Sequence, residues 1–169
     1  MKIKIKDLIF ENIILSPVRD FSSSNLEQST LFNIKYSAGN HFEELSFQTP
    51  QMVVERISDE PSGKFMYLRL LQTNACKIFY EKIKMFEMVF TEKLKCETVS
   101  TIKHNNTIKI KVPHHYNHPM VETFHNSQQI PYNSLKPLDK IICILTLNKL
   151  WMSNNKIFYN LSVSEILKI

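Results

Sequence analysis

The hydrophobic positions of this chain follow two different periods. In several segments apolar and polar residues alternate, as in Leu31 to Ser37, and a period of two is typical of half-buried β strands. From Asn74 to Leu94 the spacing changes to that of an amphipathic helix. The alternation predicts strands at Leu31 to Ser37, Glu44 to Thr49, Met52 to Ile57, Lys64 to Leu71, Thr98 to Lys103, Thr107 to Val112, Lys140 to Trp151 and Lys156 to Val163.

The segments between and before these strands are mostly polar. Met1 to Leu15 predicts an edge strand followed by a second apolar stretch, and Phe21 to Ser29 predicts a serine-rich loop. Pro113 to Pro137 is a long, histidine-rich excursion with a short predicted strand at Met120 to Phe124, and such loops are often functional. Turns are predicted at Ala38-Gly39-Asn40, Pro61-Ser62-Gly63, His104-Asn105-Asn106 and Ser153-Asn154-Asn155.

The helix has a clear apolar stripe and a candidate N-cap. Thr73 or Asn74 can accept a hydrogen bond from a free amide of the first turn. Lys82 and Lys93 lie on the apolar side, where their methylene stems can run outward along the surface or where the helix leaves the barrel. The stripe consists of Ala75, Ile78, Phe79, Ile83, Phe86, Val89, Phe90 and Leu94.

One helix between two groups of strands is the outline of an OB-like Greek-key barrel. We therefore predict a mainly β fold with one amphipathic helix in mid-chain, as a single domain over residues 1–169. Inward positions on the strands include Leu45, Phe47, Ile108, Ile110 and Val112. The face of an OB barrel commonly binds oligonucleotides.

Composition adds the location of the charge. Residues 1–97 contain 13 Lys and Arg against 13 Asp and Glu, whereas residues 98–169 contain 8 against 3. A basic C-terminal part suits a polyanion partner. An excess of Lys, Ile and Asn would also follow from coding bias toward A and T, so the charge alone does not decide the partner.

Cysteine content and apolar run lengths predict an intracellular protein. Cys76, Cys96 and Cys143 are odd in number and form no CxxC pair, which is typical of a reducing compartment, and we interpret them as packing residues. Ile141 to Leu147 is far shorter than the ~20 residues of a membrane-spanning helix. The N-terminus does not have the pattern of a signal sequence, and no membrane partner is expected.

The outward strand positions combine aromatic rings with cations. An exposed ring can stack on an unpaired base at roughly 1–3 kcal/mol per base, and neighbouring cations neutralise phosphates. The alternative for each ring is that it covers a second hydrophobic layer under the long loops. The predicted nucleic-acid-binding set comprises Phe65, Tyr67, Arg69, Lys109, Lys111, Lys149, Trp151, Lys156 and Phe158.

The segment His114-His115-Tyr116-Asn117-His118 raises the question of a metal. Three imidazoles within five residues can bind zinc, but a structural site usually needs four ligands with sulfur among them, and the cysteines are distant in sequence. We therefore predict no metal, and assign His114, His115 and Tyr116 to a hydrogen-bonding loop beside the binding groove.

Catalytic motifs are missing from the sequence. Gly39 and Gly63 are the only glycines, so no Gly-rich phosphate loop can form, and neither GxSxG nor HExxH occurs. The acidic cluster of Glu43, Glu44, Glu55, Asp59 and Glu60 is interpreted as solvated surface, since adjacent strand residues point to opposite faces. We predict neither enzymatic activity nor a cofactor. A metal-dependent nuclease or a zinc factor using His114, His115 and His118 is a third hypothesis.

Three segments resemble the OB-fold single-stranded DNA-binding proteins of large nucleocytoplasmic DNA viruses. They are Leu45-Ser46-Phe47-Gln48-Thr49-Pro50, the strand Phe65 to Leu71 before the helix, and Lys136-Pro137-Leu138-Asp139 before a long strand that ends at Trp151. The resemblance spans about Leu31 to Ile166. It implies a non-catalytic role in viral DNA replication or repair, with single-stranded DNA and replication proteins as partners, at a replication site in the host cytoplasm or nucleus.

Two features depart from that family, and they affect the expected partners. Glycine is scarce, and no acidic tail is present for recruiting other proteins. Glu165 to Ile169 is apolar and mixed in charge, so we expect it to pack at a self-association surface. The leading alternative function is a structural or assembly protein whose outward apolar positions form a protein interface.

Overall fold

The computed structural model describes residues 3–18 and 29–169, so the loop predicted at Phe21 to Ser29 lies outside it except for Ser29. Helix α1 covers Asn74–Leu94, and 3-10 turns cover Ile5–Asp7, Phe10–Asn12 and Tyr132–Ser134. The strands are β1 (Ile3–Lys4), β2 (Ile13–Pro17), β3 (Thr30–Ala38), β4 (His41–Glu43), β5 (Leu45–Gln48), β6 (Met52–Glu60), β7 (Gly63–Leu70), β8 (Glu97–Thr98), β9 (Thr107–Lys111), β10 (His114–His115), β11 (His118–Pro119), β12 (Glu122–His125), β13 (Gln128–Gln129), β14 (Lys140–Leu147), β15 (Lys149–Ser153), β16 (Lys156–Tyr159) and β17 (Ser162–Lys168).

Five strands close into a barrel in the order β6, β7, β9, β17 and β14, with β14 returning to β6. The contact between β9 and β17 is parallel, and the other four contacts are antiparallel. The first three barrel strands therefore form a meander, and the fifth lies between the third and the fourth. This order confirms the predicted mainly β, OB-like barrel with one helix in mid-chain.

A second sheet extends from the barrel through one long hairpin. Its strands follow the order β2, β3, β15, β16 and β8, with β4 paired to β3. One arm of the hairpin passes from β14 into β15 at Asn148, and the other passes from β16 into β17 at Asn160 and Leu161. The predicted turn is confirmed at Asn154 and Asn155, whose φ angles are 49° and 57°. Each predicted long strand is thus divided between two sheets.

The inward parity predicted for the strands is confirmed. Leu45 and Phe47 are fully buried, as are Ile108 and Ile110 of β9. Met66 of β7 is also fully buried. These side chains belong to one hydrophobic core, because alternate residues of a strand point to the same face.

Helix α1 has the predicted bounds and packs across the core. Thr73 caps it, with its Oγ1 accepting a hydrogen bond from the amide of Cys76 at 3.2 Å. The predicted stripe is wrong at Ala75 and Ile78, which are exposed. Cys76 and Glu87, which the prediction left out, are buried. The buried arc is therefore rotated toward Cys76 and Glu87, which face the hydrogen-bonding groups Gln51 and Tyr159.

Aromatic contacts connect the helix to both ends of the core. The Phe86 ring lies 5.2 Å from Phe10 and 5.8 Å from Phe47, measured between centroids. Phe90 packs edge-on against Tyr159 of β16 at 5.6 Å. Lys82 places its Nζ over the Phe10 ring, 5.2 Å from the centroid, so this lysine covers the edge of the core.

Two predicted segments differ from the structure before and after the helix. Within residues 3–15, the predicted edge strand is only the two-residue β1, which pairs with β5 in parallel, and two 3-10 turns separate it from β2. After the helix, Lys103 and Thr107 form the predicted tight turn through a 2.8 Å backbone hydrogen bond. The ladder of β9, however, is formed mainly with β7.

The C-terminal segment, where a self-association surface was predicted at Glu165 to Ile169, is a central strand, and its side chains at Leu167 and Ile169 are exposed. β17 pairs with β14 on one side and with β9 and β12 on the other. β12, inside the long excursion, lies parallel to β17, and the strand predicted at Met120 to Phe124 is shifted to Glu122–His125. The excursion is therefore attached to the barrel along part of its length.

The cysteines agree with a packing role. All three are free, with Cys76 and Cys143 buried and Cys96 half-buried. Burial raises the pKa of the Cys143 thiol well above its usual value. Among the described residues, no helix combines the length and apolar character needed to cross a membrane.

Candidate nucleic-acid interface

A groove of about 450 Å³ lies between the barrel and the hairpin of β15 and β16. Its floor belongs to the second and third barrel strands, β7 and β9. One side is the hairpin inserted between the fourth and fifth barrel strands, and the turn before β7 contributes Ser62. The groove unites five of the predicted residues with one further cation: Phe65, Lys109, Lys111, Trp151, Phe158 and Lys103.

The strand register explains why the floor combines aromatic and basic groups. β7 and β9 pair so that Phe65 faces Lys111 and Tyr67 faces Lys109. Residues opposite each other on antiparallel strands present their side chains to the same face. The predicted outward parity of these four side chains is therefore confirmed.

Two rings of this face are not open for stacking, contrary to our expectation: Phe65 in the groove floor, and Tyr67, which lies outside the groove lining. Phe65 is 3% exposed and Tyr67 is 8% exposed. The Nζ of Lys109 lies 3.9 Å from the Phe65 centroid, and the Cζ of Arg56 lies 3.9 Å from the Tyr67 centroid. Both rings are therefore covered within the chain, as in the packing alternative, and cationic side chains lie on them.

Trp151 and Phe158 provide the accessible aromatic surface of the groove. They are directly opposite each other on β15 and β16, with centroids 5.9 Å apart and rings within 15° of parallel. Both side chains are half-buried. A parallel pair of partly exposed rings at a groove wall can accept a further flat ring.

Lys109 is held by an acidic residue that the sequence analysis assigned to solvated surface. Its Nζ donates to Glu60 Oε2 at 2.7 Å, and the Tyr67 hydroxyl donates to Glu60 Oε1 at 2.6 Å. The hydrogen bonds from Lys109 and Tyr67 hold the pKa of Glu60 below its usual value. Burial alone would lower the pKa of Lys109, but the hydrogen bond to Glu60 raises it above its usual value. Burial, followed by the bond to Glu60, raises the pKa of Tyr67.

The other two lysines of the groove are available to a ligand. Lys103 is exposed and Lys111 is half-buried. Within residues 3–18 and 29–169, neither ammonium lies within 4.0 Å of a carboxylate. The Lys111 stem passes the turn at Gly63, whose φ of 129° favours glycine.

A hydrogen-bond network attaches the back wall of the groove, formed by Tyr159, Thr101 and Ser100, to helix α1. The Tyr159 hydroxyl donates to Glu87 Oε1 at 2.8 Å and lies 3.0 Å from Thr101 Oγ1. Lys84 Nζ donates to Glu87 Oε2 and to Ser100 Oγ, both at 2.9 Å. Burial, with the nearby charge of Glu87, raises the pKa of Tyr159 well above its usual value. The wall is therefore held by satisfied polar groups.

Three predicted basic residues lie outside the groove lining. Arg69 is exposed farther along β7, opposite Thr107. Lys149 is exposed at the start of β15. Lys156 lies at the tip of the hairpin, 3.9 Å from Glu97.

The histidine segment forms a separate hairpin of β10 and β11. His114 Nδ1 lies 2.8 Å from the carbonyl of Val112, and His115 packs edge-on against Tyr116, which is 86% exposed. Among the described residues, no three His, Cys, Asp or Glu side chains form a group that could hold a metal ion. The predicted position of His114, His115 and Tyr116 beside the groove does not match its lining.

Sequence reasoning missed Arg56, Glu60, Lys103 and Glu87 as parts of this site. A signal existed for Arg56, because treating Pro61 and Ser62 as a two-residue turn places Arg56 opposite Tyr67, as observed. The position of Glu87 depends on contacts with β16 across the core, which helical spacing does not contain.

Comparison with known proteins gives no family assignment. No protein-family model matches the chain, and no curated protein matches it.

Proposed function

We propose that this protein binds single-stranded DNA without catalysis, with bases against Trp151 and Phe158 and phosphates near Lys103 and Lys111. The main support is the position of the groove on the second and third strands of an OB-like barrel, flanked by its 1–2 turn and its 4–5 hairpin. In OB folds this face and these loops bind oligonucleotides.

The chemistry of the groove favours unpaired bases. A base stacks on an exposed ring for roughly 1–3 kcal/mol, and this face is unavailable in a duplex, where bases already stack on each other. Lysines supply the sequence-independent attraction to phosphates. A sequence-tolerant, salt-sensitive mode of binding follows.

The biological role we propose is the coating of exposed strands during viral-type DNA replication or repair, based on the sequence resemblance. Self-association along the strand and contacts with replication proteins belong to the same proposal. A protein interface built from the outward apolar positions has less support, because Phe65 and Tyr67 are already covered within the chain.

The first test uses Trp151, the only tryptophan, as reporter. We expect oligo-dT to quench its fluorescence and to bind more tightly than a duplex of equal length. The logarithm of the association constant should fall with the logarithm of salt concentration by about 0.7 per phosphate contacted. Equal binding of both ligands, or binding of neither, contradicts the proposal.

A variant pair locates the binding surface. Trp151→Leu should weaken binding of labelled oligo-dT by roughly tenfold, because one stacking face is lost. Tyr116→Leu is the matched control, since Tyr116 is an exposed ring outside the groove. Fluorescence anisotropy measures both. A loss in Tyr116→Leu equal to that in Trp151→Leu would contradict binding in the groove.

A further inference from the structure

The Glu60 carboxylate is bound by its own chain in the way that proteins bind phosphate. Each of its oxygens accepts one short hydrogen bond, from Lys109 Nζ at 2.7 Å and from the Tyr67 hydroxyl at 2.6 Å. The guanidinium of Arg56 lies on the ring of the same Tyr67, 3.9 Å from its centroid. Ammonium, hydroxyl and guanidinium donors are the groups that contact phosphate oxygens in nucleic-acid complexes.

The carboxylate is accessible and adjoins the groove. The side chains of Glu60 and Lys109 are 23% and 24% exposed, so solvent reaches the pair. Lys109 itself lines the groove together with Phe65. A phosphodiester entering the groove can therefore approach the Lys109 ammonium, and beyond it the Tyr67 hydroxyl that shares the Glu60 carboxylate, without opening the core.

We propose that Lys109 and Tyr67, with Arg56 beside them, form a phosphate-binding subsite that Glu60 occupies until a backbone phosphate displaces it. This inference rests on the proposed function. The two non-bridging oxygens of a phosphodiester take the two hydrogen bonds that the carboxylate oxygens make. Glu60 is then an intramolecular competitor that lowers affinity for single strands.

The competition makes the contribution of Lys109 conditional on Glu60. With Glu60 present, a phosphate gains the Lys109 contact only by breaking an ion pair, so little net affinity results. With Glu60 neutral, the contact adds to that of Lys103 and Lys111. A permanent structural ion pair would show no such dependence.

The experiment compares Glu60→Gln with Asp59→Asn, which removes the same charge one residue away. Asp59 is 74% exposed and contacts Lys64 at 3.5 Å, so it is a matched control for net charge. Oligo-dT binding is measured by fluorescence anisotropy over a salt series. Glu60→Gln should bind about fivefold more tightly than Asp59→Asn, with a salt slope steeper by about 0.7.

Lys109→Gln, made in the wild type and in the Glu60→Gln variant, completes a double-mutant cycle. It should weaken binding more in the Glu60→Gln background than in the wild type, and equal losses in both backgrounds would overturn the inference. Equal affinities of Glu60→Gln and Asp59→Asn would overturn it as well. If the wild type and both acidic variants fail to bind oligo-dT, the proposed function itself fails. Binding without a difference between the variants refutes only the competition.

A measurement on the wild type does not depend on any variant folding. The carbon-13 carboxyl resonance of Glu60 should move on saturation with oligo-dT, whereas that of Asp59 should stay nearly fixed. A Glu60 resonance that does not move would overturn displacement.

Discussion

At the scale of single residues, cations lying on aromatic rings are the recurring contact of this protein. Lys109 covers Phe65, Arg56 covers Tyr67, and Lys82 covers Phe10. A contact of this kind attracts the cation to the face of the ring and excludes water from that face. Cationic side chains therefore cover aromatic rings both on the barrel and in the N-terminal segment.

Tyr132 offers a residue-scale prediction. It is 8% exposed, and its hydroxyl has no hydrogen-bond partner within the described residues. An unpaired buried hydroxyl costs about 1–3 kcal/mol, so Tyr132→Phe should unfold at an equal or higher urea concentration at pH 7. Tyr80→Phe, at an exposed tyrosine of the helix, is the control. A clear loss of stability in Tyr132→Phe would contradict the expectation.

The same residue predicts an alkaline effect. Burial raises the pKa of Tyr132 from 10.0 to about 12. The folded state therefore retains a proton that the unfolded state loses, and this part of the stability is complete below pH 10 and falls as the pH rises toward 12. Between pH 10 and 12 the free energy of unfolding, measured with urea, should therefore fall more steeply for the wild type than for Tyr132→Phe. An equal fall in both proteins would contradict a raised pKa for Tyr132.

At the scale of elements, the hairpin of β15 and β16 determines the groove wall. Its turn places Asn154 and Asn155 in the left-handed region, which asparagine tolerates and glycine prefers. The turn fixes the register in which Trp151 lies opposite Phe158. The stacked pair thus depends on two turn residues that do not touch it.

Two substitutions of Asn155 test whether the turn needs a residue that tolerates the left-handed region. Asn155→Ala should lower the free energy of unfolding by about 1 kcal/mol, because alanine is strained at positive φ. Asn155→Gly should leave it nearly unchanged. Urea unfolding followed by Trp151 fluorescence measures both, and equal destabilisation would show that backbone strain is not the cause.

How far the elements could be predicted depends on the range of the interactions that form them. Helix α1 and the turn at Asn154 follow from local spacing and local backbone preference, and both were predicted correctly. The parallel contact of β12 with β17 was missed, because Glu122 pairs with Glu165 across distant sequence. The covering of Phe65 and Tyr67 was missed for a related reason, since cations from other strands cover them.

At the scale of the whole molecule, helix α1 unites the barrel with the N-terminal segment and the second sheet. Phe86 contacts Phe10 and Phe47, and Phe90 contacts Phe86 and Tyr159. One continuous core includes residues from all these parts. We therefore expect the described parts to unfold together.

Phe86→Ala tests that cooperativity. Removal of this fully buried ring should lower the free energy of unfolding by about 3–5 kcal/mol. The urea midpoint should fall, and tryptophan fluorescence and circular dichroism should report the same new midpoint. Met85→Ala is the control, since Met85 is 41% exposed and its loss should change stability by less than about 0.5 kcal/mol. Separate transitions for the two probes would indicate independent units.

The position of β17 determines when barrel closure can occur during synthesis. β17 bridges β14 and β9, so a nascent chain that has emerged only as far as Leu161 has all other barrel strands outside the ribosome but leaves both of those edges unpaired. Unpaired strand edges can pair with other chains. On the ribosome the growing polypeptide is thus exposed to misassembly until Ser162–Lys168 emerges and inserts.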